Sequence, residues 1–152
     1  MLNRTTTEIG ALDSYQNLLF SLARFHELTG AYPQRVTFVS YAFKQARFVD
    51  LHRKAIHFPA DRFQFVGIDP VFVDDAARIQ TETGERQNAV VLWQTDPYAC
   101  DVTTQLRGKR VERNLGRRRW GYSLSAGPVV SRLLRWCDAG GRLGLDFDGV
   151  LP

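Results

Sequence analysis

RVTFVSYAFKQARFVDLHRKAIHFPADRFQFVG, residues 35–67, is the stretch whose reading decides the fold. It opens with a β-branched and aromatic run from Arg35 to Ser40, the composition of a buried strand. Lys44 to Ile56 then returns apolar residues at helical spacing, through Ala46, Val49, Leu51 and Ala55, and Pro59 ends it. A second short strand follows from Arg62 to Gly67. Strand, helix and strand in this order form a βα unit, and its crossover makes the two strands parallel.

Working outward, residues 12–28 read as a helix. Leu12, Tyr15, Leu18, Leu19, Leu22, Phe25 and Leu28 recur at spacings of three and four and make one apolar stripe. Asp13 or Ser14 caps its start, and Gly30 with Pro33 stops it. After Asp69 the pattern loosens. Pro70 to Thr83 carries the acidic pair Asp74-Asp75 and a short helix, and Glu85 to Trp93 reads as another, closed by Asp96-Pro97. Arg107 to Arg119 is basic and unpatterned, inside an irregular insert spanning 101–126. Pro128 to Cys137 reads as an amphipathic last helix, and 139–152 as a glycine-containing irregular tail. The expected fold class is therefore α/β, a parallel sheet flanked by helices, in one domain over 1–152. Two strands are too few for an independent doubly wound sheet, so the first βα unit or two are expected to be absent.

At 152 residues the chain can bury a real core, and 44% hydrophobic with 24% charged residues is ordinary for a globular protein. No apolar run reaches the roughly 18 residues that would span a bilayer, and Met1 to Glu8 carries no apolar signal region. The expected location is the cytoplasm, with no membrane partner. Nothing in the pattern speaks to oligomeric state. Cys100 and Cys137 lie 37 positions apart with no CxxC and no paired histidines, which argues against zinc and against a disulfide scaffold. Both thiols are expected to be reduced, and no metal is expected. The charge is uneven: residues 1–100 hold 10 Lys/Arg and 11 Asp/Glu, whereas 101–152 hold 10 and 5. The basic excess is local and needs its own explanation.

Three clusters could carry chemistry. Glu8, Asp13, Ser14 and Asn17 gather at the first helix start, where free backbone N–H groups and the positive dipole end favour phosphate or carboxylate. Plain capping explains the same residues. Ser40, Lys44 and Arg47 follow a strand and open a helix, the position where open α/β sheets hold ligands; a solvated first turn is the alternative. Asp69 ends the next strand and would face the same crevice, or simply start a turn. His26, His52 and His57 have no Ser, Cys or Asp at a telling spacing, so no nucleophile–base pair is assigned.

Glu8-x-x-Ala11-x-Asp13-Ser14-x-x-Asn17 resembles the E-x-x-[SA]-x-[ND]-[ST]-x-x-N signature of the domain-of-unknown-function-218 family, which includes the bacterial YdcF, SanA and ElyC types. VTFVSYAFKQARF resembles its second motif, a strand ending in Ser followed by a helix with a fixed Arg. NLLFSLARFHELTGAYP, RFVDLHRKAI, RFQFVGIDP, TDPYAC, the KR-x-x-RN at Lys109 to Asn114 and LLRWC with GVLP resemble a eukaryotic, fungal-type branch. The resemblance implies a Rossmann-like fold with a polar pocket over the strand ends. It implies pocket residues Glu8, Asp13, Ser14, Asn17, Ser40, Lys44 and Arg47. The family's opening strand and glycine-rich turn have no counterpart here. Gln16 stands where bacterial members usually have Glu, and Phe43-Lys44 where they often have His. Bacterial members are linked to envelope biogenesis and one type to S-adenosylmethionine, which the resemblance makes the one named cofactor candidate.

Asp146-Phe-Asp148-Gly imitates the nucleophile loop of haloacid-dehalogenase-type phosphatases, a motif that needs a further lysine and acids from a following domain. The basic run from Arg107 to Arg119, with Trp120 and Tyr122 beside it, would suit single-stranded nucleic acid. It lacks a recognisable binding fold, so a solvated loop, or one wrapping Asp74-Asp75, is preferred to nucleic acid. The leading expectation is a pocket for a phosphorylated or nucleotide-like small molecule. The rival is a non-catalytic interaction or vestigial domain.

Overall fold

The computed structural model describes residues 4–114, 116 and 122–137. Residues 139–152, expected to form an irregular tail, lie with Asp146 and Asp148 outside the described residues. The architecture is mixed α/β: helices around a two-stranded parallel sheet.

β1 (Val36–Ser40) and β2 (Phe63–Gly67) pair in parallel, from Val36 opposite Phe63 to Ser40 opposite Gly67. Alternation along each strand turns Val36 and Phe38, Phe63 and Phe65 inward, half-buried, while Val39 and Val66 stay exposed. Parallel sheets usually bury both faces; this one covers a single face. Gly67 sits where the chain crosses itself. A Cβ there would meet Ala42 Cα and Cβ at 2.8 Å, so no larger residue fits without a backbone shift.

α1 (Ser14–Thr29) starts where Asp13 accepts a bond from Gln16 N–H and ends at Gly30, whose φ of 76° is the left-handed conformation glycine adopts freely. Tyr15, Leu18, Leu19, Leu22 and Ala23 are buried, but Phe25 and Leu28 are 43% and 52% exposed. The expected stripe is thus only half used.

The crossover from β1 to β2 departs from the expected uniform helix. A 3-10 turn, Ala42–Lys44, leads into a π-helical segment, Arg47–His52, and then α2 (Arg53–Ala55). The wide turn shifts the buried face. Phe48, His52, Ala55 and Ile56 go inside, while Ala46 is exposed and Val49 and Leu51 are half-buried. Apolar spacing for an ordinary helix picked Ala55 correctly but missed Phe48 and His52, because the turn before it is not an ordinary one.

α3 (Asp75–Glu85), capped by Asp74, runs through a second π-helical segment, Arg86–Val90, into α4 (Val91–Thr95). The two helices expected here are thus one continuous, widened rod. α5 (Gln105–Arg113) corrects the expectation of an unpatterned basic insert: it is a helix with Leu106 and Arg110 buried. α6 (Tyr122–Ser125) and α7 (Pro128–Leu134) follow, the latter with Pro128 in its first turn, where a missing N–H is harmless. Trp93, Tyr98, Ile56, Phe58, Val130 and Leu133 join the α1 residues in one core.

The cysteines also correct an expectation. Cys100 and Cys137 form a disulfide, with Cα atoms 4.9 Å apart. Their distance in sequence says little about distance in space, because the turn after α7 folds back on the loop that follows Asp96. That loop is built around the buried Asp96 carboxylate, which accepts from Cys100 N–H, Asp101 N–H and the Thr104 hydroxyl.

Candidate functional site

The site forms at the start of α1, and one ion pair fixes that start. Asp13 caps the helix with one carboxylate oxygen, and the other accepts from Arg110 Nε. Both side chains are 8% exposed. Arg110 also donates to the Tyr98 and Ala99 carbonyls at 3.0 and 3.4 Å, and its guanidinium lies over the Tyr15 and Trp93 rings. So the residue that opens α1 is bonded to the middle of α5.

Ser14 is the first residue of α1. Its Oγ lies 2.8 Å from His52 Nε2, and Arg47 donates to it at 3.4 Å. The π segment accounts for this convergence. In an α-helix two residues five apart point about 140° away from one another; in a π turn they are bonded one turn apart and lie nearly in line. Arg47 and His52 are separated by five, and both reach Ser14.

His52 is fully buried, edge-on to the Trp93, Phe48 and Tyr15 rings with centroids 4.6, 5.3 and 5.9 Å away. Burial first, then the Arg47 and Arg110 charges, hold its pKa well below the usual 6.5, so the ring is neutral. Its Nδ1 has no hydrogen-bond partner among the described residues.

Arg47 Nε lies 2.9 Å from Glu85 Oε1. Neither atom has an aligned hydrogen bond, so the contact is one of charge. Burial lowers the Arg47 pKa and raises that of Glu85, in each case against the pull of the partner's charge.

Two adjoining cavities meet here. The larger, about 440 Å³, opens at the C-terminal end of β1 and is lined by Asn17, Ser40 and Lys44. The smaller, about 280 Å³, runs between α3 and α5 and is lined by Glu85, Trp93 and Lys109. Asp13, Ser14, Arg47 and Arg113 line both. Arg113 is held in place by donating to the Leu12 carbonyl at 2.7 Å. The combined lining carries four cationic side chains and two carboxylates, and both carboxylates are already paired with arginines.

Six of the eight residues singled out in the sequence line the larger cavity: Asp13, Ser14, Asn17, Ser40, Lys44 and Arg47. Glu8 and Asp69 line neither cavity. Glu8 instead braces the approach to α1, accepting from Gly10 N–H and Ala11 N–H at 2.6 and 3.1 Å and from the Tyr122 hydroxyl at 3.0 Å. Burial, then the Glu8 contact, pushes that hydroxyl's pKa up to about 12. Asp69 is exposed beyond β2.

Sequence reasoning missed His52, Glu85, Lys109, Arg110 and Arg113. The Ser14–His52 pair, 38 positions apart, brings a serine to a histidine that sequence spacing left without an assignable partner. For Arg110 a signal existed. Leu106 and Arg110 share one helix face, and Lys109 and Arg113 share the neighbouring one, so the basic run had helical order.

An uncharacterized protein of Saccharomyces cerevisiae, YOR238W, is 35% identical over 120 residues, covering 72% of this chain. The chain spans 37% of that relative's length. No family model and no solved structure matches the chain. Among the described residues, no helix is long and apolar enough to cross a membrane, and no group of three His, Cys, Asp or Glu could hold a metal ion.

Proposed function

We propose that this chain binds a phosphorylated or nucleotide-like small molecule in the cleft at the end of β1. The observation that carries the reading is the junction at Ser14, where Arg47 and Arg113 line two cavities at once and Lys44 and Lys109 stand on either side. Both nearby carboxylates are neutralised, so an incoming anion meets net positive charge beside a helix N-terminus. The two parallel strands are read as part of a larger Rossmann-like sheet of the domain-of-unknown-function-218 type. Ligand placement beyond β1 agrees with where such sheets bind. S-adenosylmethionine is one ligand to try, but its own positive charge makes it a poorer match to this lining than a phosphate.

The same geometry weakens the case for nucleic acid, since Arg110 and Arg113 of the basic run already bond within the fold. The interaction-domain reading has one observation of its own: Val39, 57% exposed, and Val66, 37% exposed, leave the outer sheet face uncovered.

Titration calorimetry with inorganic pyrophosphate, nucleotides, sugar phosphates and S-adenosylmethionine tests the proposal. Lys44→Ala and Asn17→Ala, both at the cleft rim, are expected to weaken pyrophosphate at least about tenfold, as loss of a charge-assisted bond does, with unchanged melting temperature. Equal binding by both variants, or no binding of any phosphate by the natural chain, would overturn it.

A further inference from the structure

We propose that Ser14 is a nucleophile with His52 as its general base, and that the chain moves a phosphoryl group from a phosphate ester or anhydride onto Ser14 Oγ and then to water. The substrate class rests on the anion-binding reading above; the chemistry rests on the Ser14–His52 pair alone.

A serine hydroxyl is a weak nucleophile until a base within about 2.6–3.2 Å takes its proton. His52 Nε2 stands at 2.8 Å. Arg47 donates to the same oxygen, which leaves the hydroxyl's own proton free to be donated to His52. With its own proton on Nδ1, the neutral ring offers Nε2 as the acceptor. A purely structural role explains the ring poorly. Tyr15, Phe48 and Trp93 form an aromatic cage around it that a phenylalanine or leucine could fill, whereas histidine leaves Nδ1 buried without a partner. Such orphans are rare and costly in a core.

The surroundings favour phosphoryl over acyl transfer. A phosphoryl group in flight spreads negative charge over three oxygens, and catalysis of its transfer is mostly positioning and charge stabilisation. Lys44, Arg47 and Arg113 line the cleft around Ser14 to supply it. The substrate also completes the base. Burial first, and then the Arg47 and Arg110 charges, make the ring resist protonation; a phosphate seated against Arg47 offsets the charge part of that resistance and so favours an imidazolium. The base is thus switched on by the group it acts upon.

In the first step the Oγ–P bond forms and the P–O bond to the leaving group breaks, its electron pair staying on the leaving oxygen, while the Ser14 proton moves to Nε2. In the second, water attacks phosphorus, the Oγ–P bond breaks, and the imidazolium returns its proton to Oγ. Free phosphate departs with the oxygen of water, and the water's second proton passes to solvent.

Two probes separate the chemistry from the binding. Diisopropyl fluorophosphate is uncharged and reads the nucleophile without the cationic cleft; p-nitrophenyl phosphate is anionic and needs both. On the 152-residue chain, mass spectrometry is expected to find the fluorophosphate adduct on Ser14, formed about a hundredfold faster than on free N-acetylserine amide, the scale of general-base catalysis. Ser14→Ala should remove the adduct and p-nitrophenolate release together. His52→Gln, which keeps a hydrogen-bonding group near Ser14, should slow labelling by a similar factor while calorimetric binding of inorganic phosphate persists. No enhanced adduct on Ser14 overturns the nucleophile even if phosphate binds. Rapid labelling without turnover of the anionic probe overturns phosphoryl transfer, and if inorganic phosphate also fails to bind, the anion cleft falls with it. The comparison with the free serine amide needs no variant to fold.

Discussion

Two arginine–carboxylate pairs flank Ser14, and they do different work. On one side, Asp13 and Arg110 are each 8% exposed and hydrogen-bonded to one another, to a helix cap and to two loop carbonyls, with Arg110 Nη2 left unpartnered among the described residues. On the other, Arg47 and Glu85 touch by charge without an aligned bond, and both members line the smaller cavity, whereas of the first pair Asp13 alone does. A buried pair tied by several aligned bonds cannot exchange partners without losing those contacts at once. A pair that is loosely aligned and open to a cavity can give up its arginine to a better anion. The first pair therefore reads as an anchor for the site, and the second as a cation held in reserve by a carboxylate that burial already drives toward its neutral form.

Breaking the anchor should have the largest effect. Arg110→Met leaves the Asp13 carboxylate buried without its counter-charge, and removing one partner of such a pair costs about 3–5 kcal/mol. For a domain of this size the melting temperature should fall by about 10 °C. Urea denaturation measures it directly. A change under about 1 kcal/mol would mean that Asp13 relaxes to solvent and that the two pairs are not as different as their geometry says.

The contrast also explains what could be read from the sequence. The βα unit was legible because β1 and β2 are short β-branched and aromatic runs on either side of a helical stretch, and six cleft residues followed because strand ends and helix starts lie near ligands in such folds. Neither pair was legible. Asp13 meets Arg110 across 97 positions, and Arg47 meets Glu85 on a later helix whose packing the pattern did not place. His52 was hidden by the π turn, which rotates it to the side of Arg47 although an ordinary helix would turn it away. The disulfide was hidden in the same way, since only the folded chain brings the turn after α7 to Cys100.

The next effect separates the pairs by pH. Burial, and after it the charges of both arginines, depresses His52, so the folded ring takes up its proton at a lower pH than the unfolded chain, whose value is near 6.5. The unfolded state therefore binds more protons below that point, and stability should be complete above about pH 6.5 and fall as the pH drops, by at most about 1.4 kcal/mol per unit. Glu85, raised by burial, acts with the opposite sign: its contribution is present below its unfolded value near 4.5 and lost as pH rises through its folded one. Denaturation between pH 7 and 5 should thus show a loss that His52→Gln flattens. A loss of the same slope in that variant would place its origin elsewhere, in carboxylates away from the two pairs.

The smallest expected effect on stability bears most directly on the reserve pair. Glu85→Gln keeps the shape of the side chain and removes a charge that burial already disfavours, so the folded state should lose less than on breaking the anchor, under the roughly 3 kcal/mol at which loss of one partner of a buried pair begins. Arg47 then loses its resident anion but keeps its place beside Ser14. If that guanidinium is held for a ligand, inorganic phosphate should bind about fivefold tighter, the gain expected when one competing contact of about 1 kcal/mol is removed. The increase should vanish in a Glu85→Gln, Arg47→Gln double variant, which has no cation left to release. Weaker phosphate binding in the single variant would mean that Glu85 positions Arg47 rather than competing for it, and both pairs would then be anchors of the same kind.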